Sequence, residues 1–449
     1  MIRFLVAAPA SGSGKTVLTC ALLRAFRNRG LDPCAFKCGP DYLDPLFHRA
    51  VLGVESHNLD AFLCGEDRLH SLFAQSCQGH GAAVAEGVMG LYDGLGGVTH
   101  RASTWEVAQL LDLPVLLVLP ARGGSLTLAA QLKGLRDFRP DSRIRGVILN
   151  QCSPSLCKAL SPVIEQETAI PVLGCFPTQK AARIGSRHLG LLSPEEVGDL
   201  DRRLGELAQC LEENVDLDRL CALFQGEVPA VQWEGRAEKR CRIGVARDRA
   251  FSFCYAETLE TLARFGGEPV FFSPLRDKAL PAGIGGLYLP GGYPELYAQA
   301  LSENGEMRRA VGQAIRAGMP TVAECGGFLY LCEALHSPQG APWPMVGVLP
   351  GEGADQGKLV HFGYATLMAE EDSLLFRRGE SVPVHSFHHW DSTQPGNGFS
   401  LTKPVSGKTW REGYAGKNLY AAFPHLYFAG NPHLAQRFVE AAVRFGGTT

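Results

Sequence analysis

Short apolar runs alternate with amphipathic stretches along the first half of the chain. Apolar runs bounded by glycine, proline or polar residues predict buried strands, and apolar residues repeating every three or four positions predict helices. The predicted strands are residues 4–8, 34–37, 82–86, 115–119, 146–150 and 172–176. The predicted helices are residues 16–28, 125–135 and, closing this half, the stretch 194–224. Such alternation is typical of βαβ units that build a mostly parallel sheet with helices on both faces.

The pattern breaks once and then restarts. Residues 226–240 are rich in glycine, proline and charge, which is typical of a connection between domains. Beyond them, three strands and a helix are predicted, at residues 242–246, 269–272, 286–290 and 255–265 respectively. We therefore expect an α/β protein with two domains, residues 1–225 and 241–449, joined by a linker at 226–240.

Length and composition narrow the class of protein. With 449 residues, of which 45% are hydrophobic, the chain is long enough for more than one core, and its 52 glycines and 28 prolines fit a loop-rich α/β protein. A formal net charge of −3 offers no broad basic surface for nucleic acid or an anionic membrane. No apolar run reaches the length of a membrane span. We therefore expect neither nucleic acid nor a membrane as a partner.

The cysteines and the first residues bear on the cellular compartment. The 14 cysteines include no Cys-x-x-Cys pair, and several lie inside apolar runs, as Cys20, Cys175 and Cys241 do. Reduced thiols in the cytoplasm are therefore expected, rather than disulfides or a zinc site. Residues 1–10 superficially resemble a signal peptide, but the apolar run is short and a glycine-rich loop follows at once. We interpret this run as the first strand.

A phosphate-binding loop follows the first predicted strand. In such loops, backbone N–H groups and the N-terminus of the next helix surround phosphate oxygens, a lysine neutralises their charge, and a hydroxyl reaches Mg²⁺. Pro9 stands where the strict motif has a glycine, but the other residue types keep the mechanism. We predict that the loop binds ATP and that Thr16 contributes to a Mg²⁺ site. The predicted ATP-binding residues are Ser11, Gly12, Ser13, Gly14, Lys15 and Thr16.

Carboxylates follow the second and third predicted strands, at the sheet edge where doubly wound folds bind ligands. Asp41 and Asp44 come after the second strand, and Glu86 ends the third, where P-loop enzymes carry the acid that holds Mg²⁺. For Asp41, a turn-forming role next to Pro40 is an alternative. We predict catalytic roles for all three carboxylates, and metal binding by Asp41 and Glu86.

A cysteine forms the apex of a predicted strand-to-helix turn in the second domain. Cys325 follows an apolar run and precedes two glycines, and small residues permit the sharp bend of a nucleophile elbow. The N-terminus of the following helix is expected to lower the pKa of the thiol. N–H groups of Gly291, Gly292 and Gly326 are expected to form an oxyanion hole beside it.

A nucleophilic cysteine needs a base, and histidines near the end of the chain are the candidates. His425 follows a short predicted strand and is the preferred base. His385, His388 and His389 are competitors, for which we prefer substrate-binding or structural roles. Histidine clusters also bind zinc, but no cysteine or carboxylate lies near these at metal-ligand spacing.

With these motifs, the whole chain resembles the cobyrinate a,c-diamide synthase family, ATP- and glutamine-dependent amidases of corrin-ring biosynthesis. The discriminating stretch is Pro40-Asp41-Tyr42-Leu43-Asp44-Pro45, because the related cobyric acid synthases share the architecture but lack it. The other matching stretches are residues 11–16, 37–48, 86–94, 187–191, 290–295 and 323–327.

The resemblance implies two doubly wound domains: a P-loop NTPase-like domain of the dethiobiotin synthetase type and a class I glutamine amidotransferase-like domain of the flavodoxin type. It implies that Cys325 attacks glutamine while His425 moves the proton, and that Gly291, Gly292 and Gly326 form the glutamine site. The first domain would use Mg-ATP to phosphorylate a carboxylate of a cobyrinate-like tetrapyrrole, and ammonia would displace the phosphate. A homodimer is also implied. The residues assigned to substrate binding are Tyr42, Leu43, His48 and Asp93.

Two departures from the family pattern leave alternatives open. Relatives carry an arginine and a glutamate in the segment corresponding to residues 383–390, and this chain has neither. No acid follows His425 at the spacing that orients the base in the standard glutaminase triad. The alternatives are the same chemistry on hydrogenobyrinate or nickel sirohydrochlorin, an ammonia-dependent ligase, and a P-loop switch ATPase with a non-catalytic second domain. Ala10 argues against the last, because switch ATPases of this group carry a second lysine there.

Overall fold

The protein forms two compact units, Met1–Gln232 and Trp233–Thr449. The structure, a computed structural model, describes residues 1–179, 181, 194–229, 231 and 237–447. The stretch 187–191, which contributes to the family resemblance, lies outside the described residues, as does part of the predicted linker 226–240. Among the helices described, none has both the length and the apolar character needed to cross a membrane.

The first unit is built on a parallel sheet. Its seven strands are β1 (Ile2–Ala7), β2 (Pro33–Cys38), β3 (Ser56–Leu59), β4 (Ala82–Glu86), β5 (Val115–Pro120), β6 (Ile144–Asn150) and β7 (Val172–Phe176). They lie in the order β3-β2-β4-β1-β5-β6-β7, and each neighbouring pair is parallel. The register of β2 and β4 pairs Lys37 with Glu86. Because parallel strands end at one edge of the sheet, the loops after β1, β2 and β4 meet there.

Helices pack against this sheet and complete the core of the first unit. They are α1 (Lys15–Asn28), α2 (Leu43–Phe47), α3 (Ala61–Ser76), α4 (Thr104–Leu110), α5 (Thr127–Asp137), α6 (Pro154–Thr168), α7 (Pro194–Asn214) and α8 (Leu217–Leu223). In α1, Leu18, Leu22 and Phe26 recur every fourth position and are buried. Phe4 of β1 packs edge-on against Phe26 and also contacts Phe224, with ring centroids 6.2 and 5.0 Å away respectively. Burial of each such ring stabilises the unit by about 1.5–3 kcal/mol.

The second unit contains two sheets. Its strands are β8 (Cys241–Ala246), β9 (Gly267–Phe272), β10 (Ile284–Leu289), β11 (Thr321–Glu324), β12 (Ala334–His336), β13 (Pro342–Pro344), β14 (Glu352–Ala369), β15 (Ser381–Ser392), β16 (Phe399–Thr402), β17 (Thr409–Glu412), β18 (Tyr414–Ala415) and β19 (Leu419–Ala422). The first sheet has the order β18-β19-β11-β10-β8-β9 and is parallel except at β18. Its helices are α9 (Ala256–Arg264), α10 (Ala298–Glu303), α11 (Gly305–Arg316), α12 (Gly326–Leu331) and α13 (Pro432–Gly446).

The second sheet of this unit has the order β13-β12-β14-β16-β17, with β15 paired to β14. It is antiparallel except between β12 and β14. The residue pattern does not predict this sheet, because much of β14 is solvent-exposed and its polar residues obscure the alternation typical of a strand.

The two doubly wound sheets agree with the predicted fold class, and most predicted strands are found with shifted ends. The strand β3 was not predicted, because its sequence Ser-His-Asn-Leu is mostly polar although all four residues are buried. Ser56 and Asn58 use their polar groups inside the protein: Ser56 contacts His48, and Asn58 donates to the carbonyl oxygens of Gly39 and Asp41. Hydrogen bonds of this kind permit a polar strand in a buried position.

Candidate functional site

The loop after β1 has the backbone of a phosphate cradle. Gly12 and Gly14 have φ angles of 76° and 90°, in the left-handed region that favours glycine. Asn150, at the end of β6, donates from Nδ2 to the carbonyl oxygen of Ser13 over 2.8 Å. A Cβ at Gly14 would lie 2.2 Å from that same Nδ2, so glycine is required on both conformational and steric grounds. Asn150 is a residue that the sequence analysis missed, and it supports the loop from a distant strand.

Lys15 begins α1, and its ammonium group lies inside the loop. Nζ donates to the carbonyl oxygen of Ala10 over 3.1 Å and to that of Met89. Burial and the nearby Lys37 ammonium lower the pKa of Lys15 to about 8. A phosphate oxygen bound in the loop would stabilise the charged form of Lys15. The arrangement therefore suits an anionic ligand.

A buried ion cluster centred on Lys37 lies beside this loop. Lys37 Nζ is 2.7 Å from Glu86 Oε1 and 2.6 Å from Asp44 Oδ2, and all three side chains are buried. Thr16 Oγ1 donates to the same Glu86 oxygen over 2.6 Å. Burial disfavours the ammonium form, but the attraction of Glu86 and Asp44 outweighs it and raises the pKa of Lys37 above its ordinary value. The cluster therefore joins the phosphate loop to the second and third sequence motifs.

Lys37 is the residue of this cluster that the sequence analysis did not assign. Lys37 could have been identified from the sequence, because it lies near the end of a strand predicted to be buried. Lysine is almost never fully buried without a partner of opposite charge. The pairing of β2 with β4 supplies those partners by setting Lys37 against Glu86.

The residues predicted to bind a metal differ in the hydrogen bonds that their side-chain oxygens already make. Glu86 Oε2 is buried and has no hydrogen-bond partner among the residues described, and it belongs to the carboxylate that Thr16 contacts. Mg²⁺ sites often use one or two protein oxygens together with substrate phosphates, so Thr16 and Glu86 fit a nucleotide-bound Mg²⁺. Asp41 Oδ1 accepts from the N–H groups of Leu43 and Asp44 over 2.8 and 3.0 Å, which is the turn role weighed for it. Within the described ranges, no group of three or more metal-ligating side chains forms a protein-only metal site.

The predicted substrate-binding residues lie around the same edge of the sheet. Tyr42 and Leu43 are half-buried at the start of α2. The ring of His48 is buried in the π-helical turn His48–Leu52, where Nδ1 lies 3.0 Å from Ser56 Oγ. Asp93 Oδ2 accepts from the N–H group of Gly90 over 2.9 Å. Direct substrate contact by these residues stays a prediction.

In the second unit, Cys325 lies at a strained turn between β11 and α12. Its φ of 49° and ψ of −105° are unusual for a residue with a side chain. A Cβ at Gly327 would lie 2.0 Å from the carbonyl oxygen of Leu289, and one at Gly326 would lie 3.0 Å from the N atom of Gly292. Both glycines are therefore required for this turn to pack closely on the end of β10 and the loop that follows it, as in a nucleophile elbow.

The expected lowering of the thiol pKa is wrong. Burial raises the pKa of the Cys325 thiol well above its ordinary value, and the negative charge of Glu295 adds to that effect. The N–H group of Gly326 lowers the pKa, as predicted for a helix N-terminus, but by less. The thiol is therefore protonated at rest and needs a base in order to react.

His425 and the predicted oxyanion loop converge on Cys325. A Cβ at Gly291 would lie 2.5 Å from His425 Cε1, 3.3 Å from His425 Nε2 and 3.4 Å from Cys325 Cβ, so base and nucleophile border the same small space. The carbonyl oxygen of Gly291 accepts from the N–H groups of Ser252 and Phe253 over 3.1 and 3.0 Å. These bonds hold the loop in position beside the thiol.

Glu324, the residue before the candidate nucleophile, is placed to orient the ring of His425. Its Oε2 lies 3.4 Å from His425 Nδ1, and its Oε1 accepts from the N–H group of Leu426 over 3.2 Å. Tyr288 also donates its hydroxyl to Oε2 over 3.1 Å. With a carboxylate at Nδ1, the imidazole carries its proton there and leaves Nε2 as the base. The standard triad has this acid after the histidine, so an acid 101 positions before His425 was not predicted from the sequence.

Replacing Glu324 by glutamine is expected to lower kcat for glutamine hydrolysis by about 10²-fold or more, because the amide no longer stabilises the imidazolium or selects the tautomer. Release of glutamate from glutamine measures the change. Glu371→Gln, an exposed exchange in the same unit, is the matched control. Equal activity of Glu324→Gln and the control would show that Glu324 does not orient the base.

The competing histidines lie on β15 and have other surroundings. His385 and His425 exchange backbone hydrogen bonds, with His425 N–H donating to the His385 carbonyl over 2.9 Å. The His388 ring stacks on Phe423 with centroids 4.1 Å apart. Burial lowers the pKa of both His385 and His388 to about 3, so both are neutral. His385 therefore contributes its backbone to the positioning of His425.

Comparison with known families assigns a type to each half of the chain. Residues 4–191 match the family model described as the CobQ/CobB/MinD/ParA nucleotide binding domain. Residues 242–433 match the model described as the CobB/CobQ-like glutamine amidotransferase domain.

Relatives align with nearly the whole chain. It is 39% identical to the cobyrinate a,c-diamide synthase of Clostridium acetobutylicum, covering 98% of this chain and 100% of the relative. Identity is 36% to the cobyrinate a,c-diamide synthase of Caldanaerobacter subterraneus subsp. tengcongensis, covering 99% of each chain. Identity is 37% to that of a Synechococcus strain, covering 98% of each chain.

Proposed function

Because this chain belongs to the cobyrinate a,c-diamide synthase family, we propose that it converts the a and c carboxylates of cobyrinate into amides with ATP and glutamine. The chain is a glutamine-hydrolysing ligase that forms carbon–nitrogen bonds. The observation that carries the proposal is the presence, in one chain, of a Cys-His-Glu arrangement and a phosphate loop beside a buried carboxylate cluster. The first suits ammonia release and the second suits carboxylate activation.

In this proposal, residues of the second unit hydrolyse glutamine. His425 Nε2 takes the proton of the Cys325 thiol, and the thiolate attacks the amide carbon of glutamine. N–H groups of Gly291, Gly292 and Gly326 stabilise the oxyanion that develops. His425 then returns the proton to the departing ammonia, and water hydrolyses the thioester to glutamate. The alternative of a non-catalytic second domain is disfavoured by the Glu324–His425 contact, which such a domain does not need.

Amide formation uses the first unit. A carboxylate is a poor electrophile, because its leaving group would be an oxide, and phosphorylation by ATP supplies a better one. Lys15 and the loop N–H groups hold the phosphates, and Mg²⁺ would be held by Thr16 and Glu86, with Asp41 as the further predicted ligand. When bound, Mg²⁺ neutralises phosphate charge. Asp44, Glu86 and Asp41 stay the predicted catalytic carboxylates, and Lys37 balances the charge of Asp44 and Glu86.

Products identify the substrate. Purified protein is incubated with Mg-ATP, glutamine and one of three rings: cobyrinate, hydrogenobyrinate or nickel sirohydrochlorin. The masses of the products are then measured by mass spectrometry. A gain of two amides on cobyrinate is the expected result. Two amides on another ring alone would replace the substrate but keep the chemistry. ATP hydrolysis without any change in mass would overturn the proposal.

Two further expectations accompany this function. We propose that the chain acts in the cytoplasm, because its cysteines are free thiols, which a reducing compartment preserves. A homodimer stays a prediction from the family resemblance.

A further inference from the structure

Glu295 lies beside the nucleophile and has no role in the mechanism above. It belongs to the 3-10 helix Pro294–Tyr297, directly after the oxyanion loop. Pro294 packs against the nucleophile turn, since a Cβ at Gly326 would lie 2.8 Å from Pro294 Cδ. Among the charged groups that act on the Cys325 thiol, Glu295 raises its pKa the most. Glu295 therefore directly follows a residue that packs against the nucleophile turn, and its negative charge acts on the thiol.

The Glu295 carboxylate is buried without a cation. Glu295 is 8% exposed, and among the described residues no side-chain hydrogen bond or cation contributes to its electrostatics. The carboxylate accepts a hydrogen bond from its own backbone N–H, and the side-chain charge that acts on it, that of Asp355, is also negative. Burial raises the pKa of Glu295 to about 7. The charged form of a buried carboxylate without a cation partner is stabilised when a cationic ligand binds beside it.

Two other carboxylates also raise the pKa of the thiol, but both are more deeply buried than that of Glu295. Glu324 is 1% exposed and already accepts hydrogen bonds from Tyr288 and Leu426. Glu412 is 2% exposed in β17 of the second sheet. Glu295 is the most exposed of the three and lies next to the loop that is expected to hold the substrate amide.

We propose that the Glu295 carboxylate binds the α-ammonium group of glutamine. This inference rests on the proposed function, because it assumes that Cys325 attacks the side-chain amide of free glutamine. With the amide at Cys325 and the oxyanion loop, the amino acid end of the molecule must lie a few atoms away, near the residues that follow this loop. An ammonium group there completes an ion pair with Glu295. The pair selects free glutamine over amides that lack a positive charge, including glutamine residues inside peptides.

The test compares two substrates that differ only in the ammonium group. Glutaramate carries the same amide and carboxylate as glutamine but has a hydrogen in place of the α-ammonium. Wild-type protein is expected to prefer glutamine, and Glu295→Gln is expected to lower kcat/KM for glutamine by roughly 10- to 100-fold, mainly through KM. Its kcat/KM for glutaramate should stay at the wild-type level. Ammonia release measures both reactions.

Control variants separate recognition from folding. Glu303→Gln, at an exposed site in α10, should keep the wild-type preference. Glu295→Asp keeps the charge on a shorter side chain and should restore part of the preference for glutamine. The thermal midpoint of each variant reports on its folding.

Two results would overturn the inference while leaving the proposed function intact. In one, Glu295→Gln keeps the wild-type ratio of kcat/KM for the two substrates; in the other, it loses both activities by the same factor. Failure of the wild-type protein to release ammonia from glutamine would overturn the proposed function itself, and this inference with it.

Discussion

Cys325→Ala is expected to lose glutamine-dependent amide formation by at least about 10³-fold, because the side chain that forms the thioester is gone. Synthesis from ammonium salts should continue, since that reaction needs ATP and the ring carboxylate but not the thiol. Alanine keeps Cβ and can occupy the same turn, where Cys325 has a φ of 49°. Amide products from glutamine and from ammonium chloride, measured side by side by mass spectrometry, give the two rates.

Cys332→Ala is the matched control for this variant. Cys332 is also buried and lies just after α12, but nothing in the proposed mechanism uses its thiol. Its glutamine-dependent rate should stay close to that of the wild-type protein. Retention of glutamine-dependent synthesis by Cys325→Ala would remove the assigned nucleophile. Absence of product from both nitrogen sources in the wild-type protein would instead favour the switch ATPase alternative.

Lys37→Met is expected to destabilise the first unit by about 3–5 kcal/mol and to abolish ATP-dependent synthesis. Methionine keeps much of the volume but leaves Glu86 and Asp44 buried without the cation that lies 2.7 and 2.6 Å from them. Their mutual repulsion would also disturb Thr16, which donates to Glu86. Hydrogen exchange of peptides from β2 and β4, measured as a function of urea, gives the change in the free energy of unfolding.

A combined variant separates the two effects of Lys37. Removing the stranded charges as well, in Lys37→Met with Asp44→Asn and Glu86→Gln, should restore much of the stability without restoring synthesis. Lys133→Met, an exposed exchange on α5, should change the free energy of unfolding by less than about 0.5 kcal/mol. A loss in Lys37→Met no larger than in that control would contradict the argument that the buried ion cluster supports the site.

Features with a local cause were predictable from the sequence. The strands β4 and β7 were predicted with the bounds that they have in the structure, because each is a short apolar run between polar or glycine-containing turns. The phosphate loop and the turn at Cys325 were predictable for a similar reason, because the glycines in each favour the backbone conformation that the turn needs. The antiparallel sheet around β14 was not predicted, because many residues of β14 are exposed and its partners β15 and β16 cannot be identified from its own residue pattern.

The sequence by itself determined the two parallel sheets, the phosphate loop and the candidate nucleophile and base, because these depend on periodicity and on residue types at short spacing. Only the tertiary structure decided that Glu324 contacts His425, which lies 101 positions further along the chain. It also decided that Lys37 lies between two carboxylates, and that burial raises the pKa of Cys325 despite the helix that follows. Partners and pKa values depend on distances and burial in space, and these are set only when distant segments pack together.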